Sequence, residues 1–208
     1  MLLRDRILDA AVRVYGAHGF RGATTRRIAE AAGVNEVTLF RTFGSKGALI
    51  DAAIRNRTDR DDVLHLPGVP VDPVAELTAW AAANHVHLRR RRSLIRKCMG
   101  EMEERPDMSG AACEGPMGAH KELRDYLHRV QQSGLADKTV DPTVAASMLM
   151  SSLFADAMGR DMMPSIYPPA SSAAEQYVLV IARSLGIAVS PRATKRGPSA
   201  RAAAAHTS

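Results

Sequence analysis

Between Thr24 and Lys46 the chain reads TTRRIAEAAGVNEVTLFRTFGSK, and its polar side chains are of the types that grip a polyanion and read a base edge. Arg26, at the start of a short helical segment, has the reach for a guanine edge or a phosphate, while Arg27 reads as a solvated neighbour. In a second short segment Glu36 and Val37 fall on the outer face. A glutamate there can accept from cytosine N4, and a valine can touch a thymine methyl. The plainer reading of Glu36 is a partner for the positive end of its helix. Thr38 offers a hydroxyl to a phosphate, and Arg41 is placed for a base or phosphate contact. Other chemistries find less support. There is no Gly-rich phosphate loop and no nucleophile motif. His85 and His87, two apart, diverge on a helix, and Cys98 and Cys113 with His120 match no standard zinc spacing. The expectation is a protein that is not an enzyme and uses no cofactor or metal.

The elements that must position these residues are helices. Hydrophobic residues make up 46% of the 208, charged residues 24% and aromatics only 4%, with alanine abundant, a balance that favours helix over sheet. From Leu3 to His18 apolar residues recur at helical spacing until Gly19. Thr24 or Thr25 caps the next helix, to Ala32, which Gly33 ends, and Asn35 caps a third to about Thr42. Ala29, Ala32 and Gly33 let two helices cross closely, with Ile28, Val34 and Leu39 filling the joint. This is a helix-turn-helix, whose second helix can enter a major groove about 12 Å wide. Ser45 caps a longer fourth helix, about 46–64. Further helices are expected over about 72–88, 93–104, 115–132, 142–160 and 171–185, for about nine in an all-α architecture, with the run Arg89–Arg92 finishing one of them. From Ser190 onward the composition suggests disorder.

The net charge of +6 is unevenly spread: residues 1–60 carry +5, residues 188–208 carry +4 and the middle carries −3. A basic head on a slightly acidic body suits a protein that sets one end on nucleic acid. With no secretory leader after Met1, no apolar run near the ~20 residues of a membrane span, and only two cysteines, the expected location is the cytoplasm.

The run ILDAAVRVYGAHGFRGATTRRIAEAAGVNEVTLFRTFGSKGALIDAAI, residues 7–54, resembles the tetracycline-repressor (TetR) family of bacterial regulators. The match includes the Gly-Phe turn, the Ala-Gly-Val turn, the Thr-Leu-aromatic core and the following Ser-Lys. The resemblance implies a DNA-binding domain over 1–47, a helical effector-binding and dimerisation domain over 48–187, and a basic tail over 188–208. It implies that Thr25, with Thr24 beside it, contacts a backbone phosphate, as a helix N-terminus favours in any case. Lys46 resembles the family's phosphate-binding lysine. Phe40 departs from the frequent tyrosine and so lacks a phosphate hydrogen bond worth ~1 kcal/mol. The candidate DNA-binding set is Thr24, Thr25, Arg26, Asn35, Glu36, Val37, Thr38, Phe40, Arg41 and Lys46.

The implied function is a homodimeric repressor that releases double-stranded DNA, at an inverted-repeat operator, on binding a small-molecule effector. The last two long helices would form the dimer contact, through Val144, Met148, Ser151, Ser152 and Ala155 on one and Tyr177, Val178, Val180, Ile181 and Leu185 on the other; such faces fit an intramolecular core equally well. Trp80, Cys98, Met99, Met102, Met117, Tyr126, Phe154 and Met158 are candidates to line the effector cavity, methionine being an adaptable wall. Two alternatives remain: control by a protein partner, and a thiol or metal sensor built on Cys98 and Cys113.

Overall fold

The computed structural model describes residues 2–58, 63–103 and 109–189, and among these the chain is entirely helical apart from turns. The eight α-helices are α1 (Leu3–Gly22), α2 (Thr25–Ala32), α3 (Glu36–Phe43), α4 (Lys46–Thr58), α5 (Pro73–Glu101), α6 (Ser109–Gln132), α7 (Pro142–Gly159) and α8 (Ala173–Ser184). A short 3₁₀ turn, Pro164–Ile166, lies between the last two.

Several helix starts follow from local chemistry. The side chains of Thr24, Asn35, Asp72 and Asp141 accept from backbone N–H groups of α2, α3, α5 and α7 that have no intrahelical acceptor. The Ser45 hydroxyl does the same for Ala48 at the start of α4, at 3.1 Å. Gly33 closes α2 at φ 64°, ψ 41°, a left-handed conformation that a Cβ disfavours. The expected stop at Gly19 is a kink instead. With φ 66° and ψ −178° it breaks the helical geometry, yet the helical run resumes to Gly22.

Eight helices replace the expected nine because α5 is continuous for 29 residues. Nothing between Leu88 and Ser93 breaks a helix, and arginine is among the better helix formers. The run Arg89–Arg92 therefore lies in mid-helix and does not finish one. The start of α6 is earlier than expected, and the helix carries Pro116 inside it. The fourth helix is described to Thr58, and Leu64 is not helical. The expected end of the 93–104 helix and the tail from Ser190 lie outside the described residues.

Two buried clusters hold the molecule. Ile7, Leu8, Tyr15, Ile28, Leu39 and Leu49 anchor the first, among α1–α4; Leu77, Trp80, Leu123, Tyr126, Leu149 and Val178 anchor the second, among α5–α8. Burying each such side chain contributes about 1.5–3 kcal/mol. The first cluster reaches past the expected boundary at residue 47, taking in Ile50, Ala53 and Ile54 of α4 and Leu94 and Cys98 of α5. The head and the body thus share packing. Val189, expected in the tail, packs against the second cluster.

Candidate nucleic-acid interface and ligand cavity

On the head, α2 and α3 place the sequence candidates at or near the surface. Arg26, Asn35, Val37, Phe40 and Arg41 are exposed, Thr25, Glu36, Thr38 and Lys46 half-buried. Val37 and Phe40 leave 62% and 50% of their surface in solvent, so both are open to a partner. The geometry separates the two threonines. Thr24 is the cap, its Oγ1 accepting from Arg27 N at 3.3 Å. Thr25 donates its hydroxyl to Glu36 Oε2 at 2.7 Å, tying α2 to the head of α3. Arg26 pairs with Glu30 in the open at 3.0 Å, a contact worth little on its own, so its guanidinium can be exchanged to another partner cheaply. Arg27 donates to Gly22 O. Asn35 spends Oδ1 on Val37 N at 2.9 Å. The Lys46 ammonium donates to Phe20 O at 2.9 Å and lies 4.1 Å from the centre of the Phe20 ring.

In the body, a cavity of about 290 Å³ lies among α4, α5, α6 and α7, with Ile54, Leu88, Leu94, Ile95, Met150 and Phe154 in its wall. Of the sequence candidates, Cys98, Met99, Met102 and Phe154 line it. Four do not. Trp80 and Tyr126 are packed in the second core, and the Tyr126 hydroxyl donates to the Glu76 carboxylate. Met117 faces solvent at 68% exposure. Met158 is buried elsewhere, its carbonyl accepting from Arg96. Asn84, His87 and Arg91 form a polar edge to an otherwise apolar wall, with Arg91 donating to His87 Nδ1 at 2.8 Å.

Sequence reasoning missed Ile54, Leu88, Leu94 and Ile95. For the three on α5 the signal was present: 84, 87, 88, 91, 94, 95, 98 and 102 share one helical face. It was hidden by the expected break after Leu88, which split that face between two helices.

Cys113 also lines the cavity, and both cysteines are free. Burial pushes the Cys98 thiol up from its ordinary pKa, and the Tyr15 hydroxyl that donates to it at 3.6 Å does not offset this. A protonated thiol is a poor nucleophile, which weighs against sensing through Cys98. His85 and His87 separate as expected, one buried beside Asp156 and the other on the cavity edge.

These features are those of a helix-turn-helix head on a hollow helical body. A family model described as "Bacterial regulatory proteins, tetR family" matches residues 7–53, and one described as "AefR-like transcriptional repressor, C-terminal domain" matches residues 76–185. The chain belongs to the tetR family of bacterial regulators. It is a helix-turn-helix transcription regulator. It is 29% identical over 150 residues to the uncharacterised HTH-type transcriptional regulator YvkB of Bacillus subtilis, covering 72% of this chain and 78% of that one. To the HTH-type transcriptional repressor DrrR1 of Streptomyces coeruleorubidus it is 26% identical over 154 residues, 72% of this chain and 49% of that one. Among solved structures it resembles the flavonoid-responsive regulator FrrA, with a TM-score of 0.70 at 23% identity, covering 92% and 98% of the two chains. It also resembles FadR of Bacillus subtilis in complex with stearoyl-CoA, with a TM-score of 0.66 at 18% identity, covering 85% and 96%. At those identities the likeness shows the fold. No helix among the described residues is long and apolar enough to cross a membrane.

Proposed function

We propose that this regulator is a two-fold homodimer that represses by holding an inverted-repeat operator and lets go when a compact, mostly apolar molecule fills the cavity. One observation carries the reading: Ile54 of α4 is part of the cavity wall, and Lys46, which we read as a phosphate ligand, begins the same helix. An occupant that favours one placement of α4 over another shifts the population of DNA-competent dimers, and only that difference in affinity can do so. The cavity is at the small end of the ~300–1,000 Å³ usual for small-molecule sites. Its apolar wall and its edge of Asn84, His87 and Arg91 suit a guest with one polar or anionic end.

On the head, α3 supplies the reading surface through Glu36, Val37, Thr38, Phe40 and Arg41, while Thr24, Thr25, Arg26, Asn35 and Lys46 flank it toward the phosphates. In this reading the chain is a regulator and catalyses no reaction, and it works in the cytoplasm.

The test uses a duplex selected by the purified protein from random DNA. Met102→Trp fills the cavity without touching the head, and it should either lower affinity for that duplex or abolish its release by compounds screened against the unmodified protein. A variant that binds and responds as the unmodified protein does would remove the cavity from the mechanism.

A further inference from the structure

The last turn of α5 has two faces with different partners. Cys98, Met99 and Met102 line the cavity. Glu101, on the same turn, reaches the head: its Oε1 accepts from the backbone N–H of Phe20 at 2.9 Å. The Phe20 carbonyl in turn accepts from Lys46 Nζ at 2.9 Å, and its ring lies against the same ammonium. The turn between the two contacts has the shape that Gly19 allows. A φ of 66° with ψ near 180° is open essentially to glycine alone, and a Cβ there would stand 2.5 Å from Glu101 Oε1. Sequence reading missed this chain of contacts, because Phe20 and Glu101 are 81 residues apart and neither belongs to the helix-turn-helix.

We propose that Glu101 is a positioning residue for DNA binding. Its carboxylate fixes the Gly19–Phe20 turn, the turn's carbonyl fixes the Lys46 ammonium, and the helix end that lines the cavity thereby sets the phosphate grip. The proposal rests on reading Lys46 as a phosphate ligand and the cavity as the effector site. The physical argument is pre-organisation. A lysine carries three ammonium donors on a flexible stem. Committing one donor to Phe20 O, with the ring beneath, confines the other two before DNA arrives, so less side-chain freedom is lost on binding. A carboxylate accepting from a backbone N–H is among the stronger hydrogen bonds, which suits it to hold the turn. When an occupant moves the wall at Met99 and Met102, Glu101 moves with it, and the grip loosens at a residue the occupant never touches.

The experiment is a salt titration of binding to a random-sequence duplex, so that only phosphate contacts are counted. The proteins are the unmodified chain, Lys46→Ala, Glu101→Met, Glu101→Gln and the double variant Lys46→Ala/Glu101→Met. Lys46→Ala should lower the slope of log K against log salt by about one unit per subunit. Glu101→Met, which keeps bulk but removes the acceptor, should lower it by at least half as much. Glu101→Gln, which keeps an acceptor oxygen, should restore it, and the double variant should match Lys46→Ala alone. A full slope in Glu101→Met, additive losses in the double variant, or no rescue by Gln each overturns the proposal while leaving the Lys46 reading intact. An unchanged slope in Lys46→Ala overturns that reading and the proposal with it. A second measurement needs no variant: exchange of the Phe20 amide hydrogen in the unmodified protein should slow when the duplex is added, and an unchanged rate overturns the proposal.

Discussion

The Thr25 hydroxyl and the Glu36 carboxylate, 2.7 Å apart, set a limit on what the reading helix can do. A carboxylate near DNA phosphates is repelled unless a base donor meets it, and one oxygen of Glu36 is already committed to Thr25. Cytosine N4 in the major groove is such a donor. Glu36→Ala should therefore relax the preference for cytosine at one position of each half-site, a discrimination of about 1–3 kcal/mol. Affinity for unrelated DNA should stay level or rise. Repeating the selection from random DNA with the variant checks this, and a uniform loss across all sequences would assign Glu36 to the α2–α3 tie alone. Arg41 should behave differently. Exposed on the same helix, it has no comparable structural duty in the head, so Arg41→Ala should weaken the selected duplex about 10–100-fold, on the order of one good base contact, with the melting temperature unchanged. At this scale the sequence showed residue types and faces well, because a helix of eight residues leaves few choices of outer face. Which threonine caps and which bonds Glu36 was not legible, since both hydroxyls stand at the same helix end and only tertiary approach separates them.

Between elements, the body is tied by a buried polar group where an apolar one is the norm. Asp156 of α7 is fully buried, and accepts from Arg160 through both of its oxygens and from Tyr177 of α8 at 2.9 Å. Burial alone raises its carboxyl pKa, but the hydrogen bonds from Arg160 and Tyr177 outweigh this and hold it below the usual value. His85 of α5 lies 3.2 Å away, yet its pKa is lowered, because burial outweighs the attraction of a carboxylate already shared with an arginine. The two signs give a pH dependence. A histidine with a folded pKa below its ordinary 6.5 is fully stabilising above pH 6.5, and loses that contribution as the pH falls through the window beneath, where the unfolded chain binds the extra proton. Asp156 is lowered from 3.8, so its contribution is lost only further down. Urea midpoints should therefore fall between pH 7.5 and 5.5, and His85→Gln should flatten that fall. An identical fall in the variant would remove His85 as the cause. None of this cluster was legible beforehand. His85 was weighed only as a metal ligand, and Asp156 stands 71 positions further along. The continuous α5 was missed for a different reason: the charge run Arg89–Arg92 suits a helix end through the helix dipole, yet arginine is among the better helix formers and nothing there breaks the helix.

For the proposed dimer as a whole, the decisive quantity is the distance between two copies of α3, which one chain cannot set. A two-fold operator needs them about 34–36 Å apart, or a multiple of that, so the contact between subunits does as much for recognition as any base contact. In the proposed dimer, exposure indicates where that contact would lie. Val178, Ile181 and Leu185, expected on a dimer face, are buried within the chain, while Val144, Met148, Ser151 and Ala155 on α7 and Val180 on α8 point outward. Positions 144, 148, 151 and 155 make one helical stripe, and α7 packs beside α8. Val144, Met148 and Val180 are 53%, 55% and 61% exposed, and three such residues on two adjacent helices are what a four-helix contact between copies would cover. A two-fold contact is self-complementary, so a residue near its axis meets its own copy and a single substitution enters twice. Met148→Asp with Val180→Asp would then bring up to four carboxylates together in a contact that excludes water, where unpaired charge is costly. The double variant should sediment as a monomer at micromolar concentration and keep its helical circular dichroism, since neither side chain belongs to the core. Its affinity for the selected duplex should fall by more than 100-fold, because two linked half-sites become two separate encounters, while its binding to random DNA per subunit changes little. A double variant that remains dimeric would place the subunit contact on another face of the body and leave the reading of the head untouched.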